Sequence, residues 1–326
     1  MIHVLFSATK NESMPTQESP VQISVIMVSY FTGPVLWQAI DSVLAQPVEL
    51  ELVLVNNGNP IDVVEKLESL QGANPNIKLI TGQGNVGFSK GCNLGARLSS
   101  GSNLLFLNPD CVLFPDSLER VLESIEDLPR GSLLGGNLLD SDLKHCENTR
   151  REFPTPWRLV VESLFLYKLA PNHPYFKRLK DSIDVSTEVP IPTSVVSGAF
   201  MAASREIFDL LDGFDEDYFL HVEDVDYCMR HHLSQHPTYF CPAAKAYHFQ
   251  SSSQVSWYRV ELYKAKSFQT YFRKHFTSSY PSYFISLLGI VLYGRFVARS
   301  ALKLCTLGRL PVSSRFQPAI SNQEIL

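Results

Sequence analysis

Ile23-Ser-Val-Ile-Met-Val-Ser-Tyr30 (ISVIMVSY) is the stretch that decides the fold. From Ile23 to Val28 it is an almost unbroken apolar run rich in β-branched residues. Such a run suits a strand covered on both faces, as in a parallel sheet. Gly33-Pro34 breaks it, and Val35–Leu44 follows with Leu36, Ile40, Val43 and Leu44 on one helical face. Working outward, Leu52–Val55, Ile77–Ile80, Leu104–Leu107 and Leu133–Leu139 read as further strands. Ile61–Leu70, Phe88–Leu98 and Ser117–Ile125 read as helices between them. Strands alternating with helices imply βαβ units, hence an α/β fold with a mostly parallel, open sheet flanked by helices. Ligands on such sheets bind at the carboxyl ends of the strands.

After about residue 145 the pattern changes. Residues 150–180 are rich in Pro, aromatic and basic residues without a period. Pro190–Met201 reads as extended, Ser204–Leu211 and Asp224–Leu233 as helices, and Thr238–Phe240 and Ala246–Phe249 as two short strands. Trp257–His275 is a basic, aromatic helix. Tyr283–Tyr293 is apolar but short of the roughly 20 residues that span a bilayer. Arg295, Arg299, Lys303 and Arg309 follow with no acidic residue among them. That tail reads either as an interfacial helix on anionic lipid or as a helix packed back on the domain. Residues 1–20 have neither a basic start nor a long apolar run and read as a flexible extension.

The 326 residues are 45% hydrophobic and 19% charged, which excludes a disordered chain. With 33 acidic against 28 basic residues the net charge is −5, which argues against nucleic acid as a partner. None of the six cysteines forms a CxxC pair, so six unlinked thiols in a reducing compartment are expected.

Three strand ends turn polar at once: Ser29-Tyr30, Asn56-Asn57-Gly58-Asn59 and Asn108-Pro109-Asp110. One such end is an ordinary turn, whereas three in one half point to a ligand crevice. Asn85-Val-Gly-Phe-Ser-Lys-Gly-Cys-Asn93 leads into a helix, and Gly87 would let backbone approach a ligand there. The densest feature is Asp212–Asp226, with seven carboxylates in fifteen residues interleaved with Phe214, Phe219, Leu220 and Val222. Carboxylates beside apolar groups are suited to general-base work; the plainer reading of Glu223-Asp224 is an acidic helix start. His248 ends a strand, and His231, His232 and His236 read as a solvated helix end.

In this order, ISVIMVSYFTG, LVLVNNGN, NVGFSKGCNLGA, LLFLNPDC, VSGAFMAASREIFDLLDGFDEDYFLHVEDVDYCMR and AYHFQSSS resemble the family 2 glycosyltransferases, in particular the bacterial rhamnosyltransferase-like group. The likeness runs from about residue 22 to 253, and the GFDE…EDVDYCMR block is its most specific part. It implies a GT-A fold, a nucleotide-diphosphate-sugar donor, a divalent metal (Mg²⁺ or Mn²⁺) and inversion at the anomeric carbon. It further implies that Ser29 and Tyr30 line the nucleobase and ribose, that Asn56 stands where the family usually has an Asp, and that Asn85, Gly87 and Asn93 form the donor-side loop. Asn108 and Asp110 stand in the DxD position, with Asp110 as the surviving carboxylate and His248 as a second metal ligand. Asp224 of the Glu223-Asp224 pair is the implied base. One carboxylate fewer is tolerable, because Mg²⁺ is often held by one or two carboxylates plus substrate phosphates.

These readings divide the chain into a GT-A domain at 21–255 and a helical tail at 256–326. Residues 21–145 form the donor half of the domain and 146–255 the acceptor half. The expected activity is inverting transfer of rhamnose or another deoxyhexose to a glycan or lipid-linked acceptor, in polysaccharide and cell-envelope biosynthesis. The expected location is the cytoplasm, at the inner face of the membrane. Two rivals stand beside it. A nucleotidyltransferase would want a Gly-rich loop after the first strand, which Ser29-Tyr30-Phe31-Thr32 lacks. A non-catalytic nucleotide-sugar or glycan binder would have no need of Asp110, Glu223 and Asp224 together.

Overall fold

The structure is a computed structural model that describes residues 21–146, 149–169, 173–176, 187–249 and 257–307; the expected N-terminal extension and Arg309 lie outside them. The strands are β1 (Ile23–Ser29), β2 (Leu50–Asn56), β3 (Ile77–Ile80), β4 (Asn103–Leu107), β5 (Cys111–Leu113), β6 (Leu133–Leu139), β7 (Arg150–Arg151), β8 (Ile191–Pro192), β9 (Val195–Val196), β10 (Phe200–Ser204) and β11 (Thr238–His248). The helices are α1 (Val35–Leu44), α2 (Ile61–Ala73), α3 (Phe88–Leu98), α4 (Ser117–Asp127), α5 (Pro156–Ser163), α6 (Arg205–Leu210), α7 (Glu223–Leu233), α8 (Trp257–Phe276) and α9 (Ser282–Leu307).

The main sheet runs β3-β2-β1-β4-β10-β6-β11-β5, with β8 paired to β11. β3, β2, β1 and β4 are parallel, as the strand–helix alternation requires. β10 then enters antiparallel between β4 and β6. The run that suggested the fold is buried along its whole length, and period-two geometry divides it between two layers. Ile23, Val25 and Met27 pack with Leu36, Ile40 and Val43 of α1. Ile26 and Val28 pack with Cys92 and Ala96 of α3. α3 sits so close that a Cβ on Gly95 would come within 2.5 Å of Ile26.

Two expectations change here. The two short strands expected at 238–249 are one strand, β11, whose register on β6 shifts between Cys241 and Lys245. Pro242 lies in that shift and has no N–H for the ladder, so the chain bulges and continues. His231 is not solvated: it is fully buried, with Nε2 2.8 Å from Gly131 O.

α8 and α9 are not a loose appendage. Tyr271, Phe272, Ile285 and Leu288 share one buried layer with Phe208, Phe214, Tyr218 and Tyr227. Asp226 of α7 joins them electrostatically, bonded to Arg230 (2.8 Å), His275 (2.7 Å), Lys274 (3.0 Å) and the Tyr218 hydroxyl (3.2 Å). Burial alone would raise the Asp226 pKa, but these partners outweigh it and hold the carboxyl well below the usual range. α9 is longer than the apolar stretch that announced it, yet no helix among the described residues is long and apolar enough to cross a membrane. Five cysteines, Cys92, Cys111, Cys146, Cys228 and Cys241, are buried free thiols.

At the opposite end of the sheet, Glu51 anchors three strands. It accepts from Lys78 (2.6 Å), Ser24 (2.6 Å), the Ser100 hydroxyl (3.0 Å) and the Ser100 N–H. Burial opposes ionisation, but Lys78 and the other donors win and bring the pKa from 4.5 to about 2. A depressed folded-state pKa means that this stabilisation is complete above about pH 4.5 and is lost as pH falls toward 2. Glu51→Gln should therefore melt well below the wild type at pH 7, with the gap narrowing by pH 3. A gap of constant size in thermal melts across that range would contradict this assignment.

Candidate functional site

The carboxyl ends of β1 and β2 are braced by side-chain amides. Asn56 Oδ1 accepts the N–H groups of Gly58 (3.2 Å) and Asn59 (2.9 Å), and its Nδ2 donates to Thr81 Oγ1 (2.9 Å). The side chain is spent on the turn. Asn59 in turn donates to Ser29 O (3.1 Å) and accepts the Phe31 N–H (2.8 Å), which holds Phe31 in a left-handed conformation. Ser29 is buried beside it, and Tyr30 is left half-buried at the mouth of the crevice.

Asn57, adjacent to the expected donor residue, bolts the next loop down. Its Oδ1 accepts Val86 N–H (3.0 Å), and its Nδ2 donates to Asn85 Oδ1 (3.1 Å) and Gly87 O (3.2 Å). Asn85 also accepts the Gly87 N–H at 3.0 Å. Gly87 has φ of 89°, and a Cβ there would lie 2.8 Å from Phe219 O. The close approach that demands glycine here is to the 214–222 segment. Asn93 is likewise a fold residue: it donates to Phe214 O (2.8 Å) and accepts Phe214 N–H (2.9 Å). Spacing alone could not show this, because its partner lies 121 residues away.

The other half of the crevice forms where β4 meets β10. Asn108 N–H donates to Ala199 O at 2.9 Å, extending the ladder beyond Leu107 and Phe200. On one side of this link lies Asp110, whose Oδ1 is 3.4 Å from His248 Nε2. The ligand atoms of Asp110, Cys111 and His248 all fall within 4.8 Å of one another, and His248 Nδ1 is buried without a hydrogen-bond partner. The Asp110 oxygen and the His248 nitrogen fit a divalent cation such as Mn²⁺, whereas burial first, and then the charge of Asp110, push the Cys111 thiol up, so its sulfur is the weakest of the three donors. Cys111 drew no attention in the sequence; antiparallel pairing places it directly opposite His248.

On the other side of the link lies Asp224. Its Oδ2 accepts Gly198 N–H (3.1 Å) and Arg151 (2.8 Å), and its Oδ1 accepts Val225 N–H (2.8 Å). Arg151 arrives on β7, which pairs with β9 just ahead of Gly198. Glu223 is 7% exposed, with Oε2 unpartnered. Burial first, and then the charge of Asp224, push its pKa up to about 8. The pair thus divides into a bonded carboxylate and a buried, easily protonated carboxyl.

The family model described as "Glycosyl transferase family 2" matches residues 24–209, more than half of the chain. The chain belongs to that family. The glycosyltransferase is 25% identical over 247 residues to the N-acetylglucosaminyl-diphospho-decaprenol L-rhamnosyltransferase of Mycobacterium tuberculosis, covering 71% of this chain and 77% of the relative. It is 28% identical over 156 residues to rhamnosyltransferase WbbL of Escherichia coli K12, covering 48% of this chain and 55% of WbbL. Among solved structures it resembles GalNAc-T7 with UDP, GalNAc and Mn²⁺ (TM-score 0.57, 15% identity, covering 79% of this chain and 48% of that one). It also resembles the mannosyltransferase PcManGT of Pyrobaculum calidifontis with GDP-Man and Mn²⁺ (TM-score 0.53, 14% identity, 92% and 80%). The glycosyltransferase therefore has a GT-A fold, with β1, β2 and β4 ending at the crevice and helices added at the C-terminus.

Proposed function

We propose that the glycosyltransferase moves rhamnose, or another deoxyhexose, from a nucleotide-diphosphate donor to a glycan or lipid-linked acceptor with inversion. The observation that carries this reading is the pairing of Asp110 and His248 on one side of the Asn108–Ala199 link with Asp224 on the other. The choice of rhamnose and of a lipid-linked acceptor rests on the relatives' names. Tyr30, open to the crevice, would face the nucleobase. Asn56 and Asn85 would shape the wall rather than touch the donor, and Asn108 would hold the link.

Asp110 and His248, with Cys111 beside them, would hold the divalent cation. Mg²⁺ or Mn²⁺ bound there would neutralise charge growing on the leaving diphosphate. The acceptor hydroxyl attacks the anomeric carbon from the face opposite the diphosphate. The carbon–oxygen bond to the diphosphate breaks, its electron pair leaves with the nucleotide, and Asp224 takes the hydroxyl proton. Arg151 and the Gly198 N–H fix the Asp224 carboxylate so that its remaining lone pair can meet that proton. A single displacement needs one base and no covalent nucleophile, which supports inversion. A nucleotidyltransferase would need no such base.

α9 supports membrane contact at the cytoplasmic face. Ile285, Leu288 and Phe296 face the core, while Tyr283, Leu287, Ile290, Val291 and Val297 are exposed on the other side. Both readings of the tail thus meet in one helix, one face packed and the other free for a lipid surface.

Three outcomes are expected. Asp224→Asn should lower turnover roughly 10²–10⁴-fold while a donor such as dTDP-rhamnose still raises the melting temperature; wild-type turnover would remove Asp224 from the role. Turnover should cease in EDTA and return with Mn²⁺, and Asp110→Asn should weaken Mn²⁺ binding measured by electron paramagnetic resonance. Full activity in chelator would leave Asp110 a turn residue. The full chain should sediment with anionic liposomes at low salt and Ile290→Glu should not; equal partitioning of the two would count against the exposed face as the contact.

A further inference from the structure

His221 stands three residues ahead of Asp224, and its Nε2 is buried without a hydrogen-bond partner. A buried polar atom left unsatisfied is costly, and each such case in a folded protein calls for a reason. The backbone supplies a second observation. His221 and Val222 are consecutive left-handed residues, with φ of 67° and 73°. Neither is glycine, and a β-branched side chain at positive φ is strongly disfavoured. Strain of this kind persists only where the surroundings over-determine it, and it gathers at functional sites.

The surroundings do over-determine it. Phe219 O accepts the Phe88 N–H from α3 (2.8 Å), Leu220 O accepts the Ser267 hydroxyl from α8 (3.0 Å), and Val222 O accepts the Asp226 N–H from α7 (2.9 Å). Three helices therefore pin three carbonyls of one four-residue turn, and the turn presents His221. Its charged neighbours are Lys264 of α8, Asp224 and Arg151. Two of them, Asp224 and Arg151, form the ion pair on the proposed proton-accepting side. Burial, with Lys264 and Arg151 against the pull of Asp224, brings the imidazole pKa down to about 4, so the ring is neutral under physiological conditions. A neutral imidazole offers one N–H donor and one acceptor nitrogen. That pair matches a sugar hydroxyl, which both donates and accepts, better than it matches a phosphate.

We propose that His221 binds the acceptor sugar, its Nε2 hydrogen-bonding a hydroxyl beside the one that Asp224 deprotonates. This rests on the reading of Asp224 as the base, and it assigns acceptor choice to a residue that no motif marks. His221 touches the substrate without moving a proton of the reaction, so its loss should act on acceptor binding and leave donor handling alone.

The test uses the full chain with Mn²⁺, dTDP-rhamnose as donor and N-acetylglucosaminyl-diphospho-decaprenol as acceptor. Slow donor hydrolysis by water is read without acceptor, and transfer is read with it. His221→Phe should keep its melting temperature and its hydrolysis rate while the acceptor KM rises roughly tenfold, and His221→Gln should recover much of that loss. Should His221→Phe fail to fold, His221→Ala is read in its place. An unchanged acceptor KM would overturn the proposal and leave Nε2 to an ordered water. A parallel fall in hydrolysis and transfer would also overturn it, by making His221 a structural residue. If the wild type consumes no dTDP-rhamnose with or without acceptor, the proposed rhamnose transfer fails first and the proposal with it; donor hydrolysis by the wild type separates the two failures.

Discussion

The site depends on one docking event, the attachment of the 214–222 segment to α3. Asn93 clamps Phe214 by both its N–H and its carbonyl, the Ser89 hydroxyl donates to Tyr218 O (2.6 Å), and Phe88 N–H donates to Phe219 O. The Asn93 and Ser89 bonds are buried, and the contacts run in opposite sequence order along the two partners, so they act as a short zipper. The donor-side loop begins α3 and the acidic segment ends at α7. The zipper therefore fixes Asp224, which we propose as the proton acceptor, relative to the loop at residues 85–87.

Charge completes what the zipper begins. Seven carboxylates so close together would repel one another if all were solvated, and the fold gives them separate fates. Asp226 goes inside with Arg230, Lys274 and His275, and Asp215 pairs with Lys274 at the surface. Glu216 reaches Lys90 (4.0 Å) and Arg97 (3.8 Å) of α3. Asp224 takes Arg151, and Glu223 keeps its Oε2 buried and unpartnered. Lys274 and His275 of α8 thus meet the acidic segment at Asp215 and Asp226, adding charge to the apolar packing that holds that helix on the domain.

Much of this was legible in the sequence. Buried strands announce themselves as apolar runs, and β1, β2, β4 and β6 fall where the runs are. Asp224, Asp110 and His248 were marked by their position after strands or at a helix start, and they gather around one backbone link. What the sequence could not disclose was destination. Asn56 is held by its own turn and by Thr81, Gly87 packs against Phe219 and Asn93 clamps Phe214, contacts that residue type alone does not announce. Arg151 carried no signal, because its role depends on a two-residue strand that pairs beside Gly198. His221 looked like one more polar residue in an acidic run until its backbone conformation and burial were known.

The link between Asn108 and Ala199 belongs to the backbone. It continues a β-ladder, and neighbouring strands in a ladder lie about 4.8 Å apart whatever their side chains. The separation of Asn108 from Ala199 is thus a unit of peptide geometry, and it carries over to the segments that bear Asp110 and that hold Asp224 through Gly198. Substitutions on either strand can alter what is recognised without changing that length. The spacing is written in amide groups, so it does not depend on which side chains the two strands carry.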